Sequence, residues 1–160
     1  LDAGDQRAAM PLAAFKKLAW KDARVRIVAD RPSRLPVRYF LIRKRIEQVS
    51  GTDQAKLVGY YQASDVSVTM ERTAGWSNPT AEAMACGIPV ICTRNGTFDF
   101  ADETTAIVVP VDDVKALTEA LRRTRDDSDA AKSRAAAALK RIQSFDWERV
   151  VDALENLLRL

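Results

Sequence analysis

The chain has 160 residues, 47% hydrophobic and 29% charged, with six Gly, six Pro, two Cys, no His and a mean hydropathy of -0.22. That profile excludes collagen, a disordered chain and a disulfide scaffold, and the usual ~100–200 residues per domain makes residues 1–160 one expected domain. Without His, side-chain imidazole chemistry is excluded within the chain, the Ser-His-Asp triad and His-ligated zinc included.

Residues 7–19 place Met10, Leu12, Phe15 and Leu18 near helical spacing, with Pro11 tolerable close to a helix start. Arg24–Ala29 alternates and runs into Asp30-Arg31-Pro32-Ser33, a strand followed by a turn. Residues 36–49 read two ways, as a helix opened by Pro36 through Phe40 and Leu41, and as a short strand Ile46–Val49 before Ser50-Gly51. Asp53 caps an amphipathic helix over 54–63, and the β-branched segment Val66–Thr69 follows as a strand. Asn78 at a cap position and Pro79 in the first turn open a helix that stops at Gly87, before a buried strand Ile88–Cys92. After a loop containing Gly96, Ala106–Val109 is a strand and Asp112-Asp113 caps a helix through Leu121. Residues 128–158 are helical in pattern, broken near Ser144-Phe145-Asp146. Strands spaced by helices predict an α/β domain with a doubly wound parallel sheet and helices on both faces.

Cys86 and Cys92 read as small buried hydrophobes of an intracellular chain, and most aromatic residues sit at core spacing, with Trp76 the exception. No window reaches the ~18 unbroken apolar residues of a membrane span. The start LDAGDQRAAM lacks an initiator Met and the order of a signal peptide, so a chain cut from something longer is expected. The net charge of +3 is uneven: residues 1–50 hold 12 Lys and Arg against 5 Asp and Glu, and residues 51–110 hold 3 against 7. The densest cations are Arg31, Arg34, Arg38, Arg43, Lys44 and Arg45, which suit phosphates, an acidic membrane or a partner domain as well as a solvated face. No aromatic ladder or nucleic-acid motif interleaves with them, so nucleic acid is not an expected partner.

In a sheet of this kind, ligands sit beyond the carboxyl ends of the strands. That directs attention to Met70–Thr80 and the helix carrying Glu82. The amides of the helix start, at the positive end of its dipole, suit a phosphate or diphosphate. Glu82 has two readings, as an acceptor for ribose hydroxyls and as an acid that complements the helix dipole.

The stretch AGWSNPTAEAMACGIPVICT, residues 74–93, resembles the signature of the retaining glycosyltransferases of family 4, or group 1, whose pattern runs Glu-Gly-Phe-Gly-Leu-Pro-x-x-Glu-Ala-Met-Ala-Cys-Gly-x-Pro-Val. Gly75, Trp76, Pro79 and Glu82 stand at the pattern's Gly, aromatic, Pro and second Glu. Val28-Ala29-Asp30 resembles Ile-Val-Gly-Asp, Tyr61–Val66 lies in a segment similar to Leu-Tyr-x-Ala-Ala-Asp-Val, and Phe145-Asp146-Trp147 resembles Phe-Ser-Trp. The resemblance implies the C-terminal, donor-binding half of a GT-B fold, with Leu1–Gly4 as the end of a first strand and the acceptor domain missing. It implies that Glu82 binds the donor ribose, that amides around Ser77, Asn78, Pro79 and Thr80 approach the diphosphate, and that Thr93–Thr97 lies near the sugar. Gly75 and Trp76 belong to the same loop.

The implied partner is a UDP- or GDP-sugar, with no cofactor and no metal, because fixed cations and helix dipoles stabilise the leaving diphosphate. The implied location is cytoplasmic, with peripheral contact at the inner membrane face, in surface-polysaccharide or glycoconjugate assembly. Two positions depart from the pattern. Ala74 stands where the first Glu is usual, with Glu71 three residues too early to replace it, and Arg7 is followed by no Lys at the family's offset. The fragment alone is expected to transfer no sugar; the other reading is a non-catalytic nucleotide-recognition or interaction module.

Overall fold

The computed structural model describes residues 3–29, 31, 34–73 and 75–158. Helix α1 (Ala3–Leu18) opens the chain and carries Pro11 in its interior rather than at its start. Ala3 and Gly4 belong to this helix, so the expected strand end at Leu1–Gly4 does not form there, while Leu1 and Asp2 lie outside the described residues. Local helix propensity is overridden at Pro11 by packing: Met10, Leu12, Ala14, Phe15 and Leu18 are all buried along α1.

Strand β1 (Val25–Val28) pairs in parallel with β2 (Ile46–Val49), Val25 opposite Ile46 and Val28 opposite Val49. Between them Val37–Arg45 forms a 3₁₀ helix after Pro36, which settles the ambiguous segment as a helix followed by a strand. Helix α2 (Gln54–Gln62) begins at Asp53, whose carboxylate accepts the Lys56 amide at 2.8 Å. Strand β3 (Ser67–Thr69) leads to helix α3 (Asn78–Ala85), strand β4 (Val90–Cys92) and strand β5 (Ile107–Val108), and the three strands form a parallel ladder in the order β3-β4-β5.

Helix α4 (Val114–Asp126) is capped by Asp113, and α5 (Ser128–Ile142) by Asp127, each carboxylate accepting the amide three residues on. A short 3₁₀ turn, Gln143–Phe145, then breaks the helical run before α6 (Trp147–Leu158). The expected α/β fold with parallel pairing is present, and among the described residues its hydrogen bonds fall into two ladders, β1-β2 and β3-β4-β5.

Among the described residues, three apolar clusters fill the interior. Met10 and Ala14 of α1 pack with Met70, Ile91, Val109, Leu117 and Ala120. Leu12 and Phe15 of the same helix pack with Tyr39 and Ile42, against which Val25, Ile27 and Ile46 lie. The third cluster holds Met84, Val90, Cys92, Phe100 and Ala138. Ala131, Ala135 and Ala138 turn a small-residue face of α5 inward, and α5 packs on α3. Core spacing did not place every aromatic inside: Phe40, Phe98 and Trp147 are exposed. None of α6's residues is buried, so its apolar stripe of Val150, Val151, Leu154, Leu157 and Leu158 faces outward.

Phe100 is fully buried and touches both Trp76 and Phe145. Phe100→Ala is expected to cost about 3–5 kcal/mol through lost contacts and a residual cavity. Denaturant midpoints of the two proteins measure it, and an unchanged midpoint would show that the aromatic core does not hold the domain.

Candidate functional site

The loop that the sequence singled out is held from two sides. At its far end Ser77 is the N-cap residue of α3, not Asn78, and its hydroxyl makes no cap hydrogen bond. That hydroxyl instead meets Thr80 Oγ1 at 2.7 Å, and Thr80 Oγ1 meets Thr69 Oγ1 at 2.6 Å. Ser77 and Thr80 are buried, so this chain of hydroxyls ties the end of β3 to the start of α3 inside the protein. Their side chains therefore face away from a ligand, and what these two residues offer outward is backbone, beside the exposed side chain of Asn78.

The second support is the loop over 93–97. The Ser77 amide donates to the Gly96 carbonyl at 2.8 Å, and Gly96 lies at φ 73, a left-handed conformation that favours glycine. Thr93 Oγ1 donates to the Glu71 carbonyl at 2.6 Å and Asn95 Nδ2 to the Arg72 carbonyl at 2.6 Å. The Ser77 amide is thus committed and Pro79 has no N–H, which leaves Asn78 and Thr80 as the amides of the first turn outside the helical ladder. Glu71 is buried beneath this loop. Ala74 lies outside the described residues, as does the side chain of Arg7.

Among the described residues a Cβ at Gly75 would meet nothing within 4 Å, so no steric contact with them requires a glycine at that position. Trp76 is 41% exposed, with its ring centroid 4.5 Å from Phe100 and 5.5 Å from Phe145, so the loop's aromatic residue rests on the core rather than standing free.

Beside this loop lies a cavity of about 330 Å³, within the usual range for small-molecule sites. Val28 and Ala29 at the end of β1 and Gly51 and Thr52 after β2 form one side, Leu57 and Tyr61 of α2 another, and Pro79 and Glu82 of α3 the third. The cavity is therefore at the carboxyl ends of the strands, where parallel sheets place ligands. Tyr61 Oη donates to Glu82 Oε2 at 2.9 Å; its 3.4 Å approach to the Pro79 carbonyl is too long to compete for the same proton. Burial, then the hydrogen bond to Glu82 and that group's charge, holds the Tyr61 phenol well above the ordinary tyrosine value.

The cations flanking the loop are already engaged. Arg72 pairs with Asp112, and Arg94 donates to the Ala101 carbonyl and lies over the Phe98 ring. Among the described residues no group of three or more His, Cys, Asp or Glu gathers in metal-binding geometry. Cys92 is buried, its thiol pushed up to about 11 mainly by burial, and Cys86 is half-buried; both are free thiols.

The structure brings Pro79 and Glu82 together in one cavity wall and sets Gly75, Trp76, Ser77, Asn78 and Thr80 along the adjoining loop and helix start. Sequence reasoning missed Gly51, Thr52, Leu57 and Tyr61 as site residues. Two signals pointed to them: Ser50-Gly51 closes a strand at its carboxyl end, where the topology puts ligands, and Tyr61 falls in a recognised segment.

A family model described as Glycosyl transferases group 1 matches residues 5–127. A D-inositol 3-phosphate glycosyltransferase of Saccharomonospora viridis is 35% identical over 107 residues, 64% of this chain and 24% of that protein. Sucrose-phosphate synthase from Thermosynechococcus elongatus superposes with a TM-score of 0.81 at 25% identity, over 98% of this chain and 43% of the other. Anabaena HepE in complex with UDP superposes with a TM-score of 0.77 at 15% identity, over 97% of this chain and 46% of the other. The chain thus spans less than half the length of each of these proteins.

Tyr61 gives the site an alkaline signature. Because its folded value is raised above 10.0, its contribution to stability is fully present below about pH 10 and is lost as the pH rises further. Unfolding free energies measured across that range should fall less steeply for Tyr61→Phe than for the parent, and identical slopes would mean that Tyr61 does not hold its proton on Glu82.

Proposed function

The chain belongs to the group 1 glycosyl transferases, and from its cavity we propose that it is the donor-binding domain of an enzyme that moves a sugar from a nucleotide-diphosphate sugar to an acceptor hydroxyl with retention. The observation that carries this reading is the adjacency of three parts: an open cleft, one carboxylate on its wall, and the start of α3 beside it. A nucleoside fills the cavity, its ribose hydroxyls donate to the Glu82 oxygen that Tyr61 leaves open, and the diphosphate reaches the amides of Asn78 and Thr80. The sugar then lies beyond Gly75 and Trp76, toward Thr93–Thr97.

The chemistry asked of this half is charge stabilisation. As the bond between the sugar's anomeric carbon and the diphosphate breaks, negative charge grows on the diphosphate, and fixed N–H dipoles at a helix start meet it without reorganising. This scheme uses no metal and no cofactor. The open position at Gly75 suits close approach of a donor to the backbone. The HepE structure, of similar fold, is a complex with UDP, which favours a uridine nucleotide, with GDP-sugars the next candidates.

The acceptor site and the remaining catalytic groups are assigned to a second domain, in keeping with the share of longer proteins that this chain spans. A second reading, a nucleotide-recognition module without transferase activity, draws on Ala74 in place of the pattern's Glu and on the engagement of Arg72 and Arg94 within the protein.

Calorimetric titration with UDP, GDP and ADP should show binding of at least one nucleotide, and Glu82→Ala should weaken it at least about tenfold, the loss of a hydrogen bond to a charged group. If none binds and the variant behaves like the parent, the donor-site reading is wrong. The chain alone, given a nucleotide sugar and a simple acceptor, should transfer no sugar; measurable turnover would overturn the assignment of acceptor functions to another domain.

A further inference from the structure

From Arg31 to Arg45 the sequence holds six cations and no Asp or Glu. Most of this stretch is the 3₁₀ helix Val37–Arg45, whose three-residue turn sorts its side chains into three rows. One row points inward: Tyr39 and Ile42 are buried with Leu12 and Phe15, and Tyr39 Oη donates to the Ala9 carbonyl at 3.3 Å. Arg45, in the same row, lies over the Phe15 ring and donates to the Trp20 carbonyl. The helix is therefore clamped to α1.

The other two rows, Val37-Phe40-Arg43 and Arg38-Leu41-Lys44, face outward. Val37 is 90% exposed, Phe40 71% and Leu41 88%, with Arg34, Arg38, Arg43 and Lys44 exposed around them. Among the described residues none of these four cations pairs with a carboxylate. Arg38 lies over the Tyr39 ring. Three large apolar side chains held out from a fixed helix, interleaved with cations that meet no carboxylate among the described residues, are what an interfacial segment presents to a lipid surface.

We propose that this face docks the protein on an anionic bilayer, with Val37, Phe40 and Leu41 entering the headgroup boundary and Arg38, Arg43 and Lys44 set against lipid phosphates. Aliphatic Val37 and Leu41 gain nothing by stacking on bases, which argues against nucleic acid. The core of a protein–protein interface is depleted in charged residues, Lys included, whereas exposed cations interleave with these three apolar side chains, which argues against a folded partner. The exposed stripe of α6 does not share this character, because Glu148, Asp152 and Glu155 accompany it.

The test is cosedimentation of the chain with vesicles of phosphatidylcholine alone and with vesicles containing about one-third phosphatidylglycerol. Binding is expected to the anionic vesicles only and to fade with added salt. Arg43→Glu with Lys44→Glu should weaken it at least about tenfold, since each cation near such a surface contributes roughly fivefold. Phe40→Ser with Leu41→Ser should weaken it severalfold at unchanged charge. All four positions are exposed, so each variant should keep the parent's melting temperature. Equal binding to neutral vesicles, or no binding to either, would overturn the proposal. So would parent-like binding by the serine variant, or retention on single-stranded DNA stronger than on the anionic vesicles.

Discussion

The cavity has walls from two ladders that, among the described residues, share no strand pairing. Val28, Ala29, Gly51 and Thr52 belong to the β1-β2 side, and Pro79 and Glu82 to the side built on β3-β4-β5. What registers the two is α1, which buries Met10 and Ala14 among residues of the larger ladder and its helix α4, and Leu12 and Phe15 against the smaller one. Apolar packing is non-directional, yet a close-packed helix leaves little freedom to slide. The hydrogen bond from Tyr61 to Glu82 then fixes α2 to α3 across the cavity itself.

Within the larger ladder, side chains and backbone divide the work. The hydroxyls of Thr69, Thr80 and Ser77 satisfy one another in the interior, where an unpaired polar group would be costly. Because those side chains turn inward, the start of α3 presents amides to the solvent side. Gly96 completes the arrangement by accepting the Ser77 amide from a backbone conformation that residues with a side chain rarely adopt.

What was legible in the sequence was mostly local or carried by a motif. Asp53 and Asp113 announce their helices because a cap bond spans only three residues. The β-branched runs announce strands, and Glu82 stands out through the pattern around it. Asn78 and Pro79 form the stronger local signal, whereas the Ser77 carbonyl accepts the first helical bond, from the Ala81 amide at 3.1 Å, and so makes Ser77 the cap. The Tyr61–Glu82 pair and the cavity side formed by Gly51 and Thr52 depend on how two ladders meet, which no short window encodes. Likewise Pro11 argues for a helix start next to it, and burial on both sides of α1 outweighs that preference.

The rings of Trp76, Phe100 and Phe145 carry a consequence for where this domain ends. The region matched by the family model stops at residue 127, whereas Phe145 lies beyond α5 and its ring centroid is 5.5 Å from Trp76. A protein trimmed to the matched region would retain every residue of the donor loop and the cavity wall while removing one of the two surfaces on which Trp76 rests. The support of the donor loop therefore reaches past the matched region, and the segment after α5 acts as scaffolding for a loop far upstream.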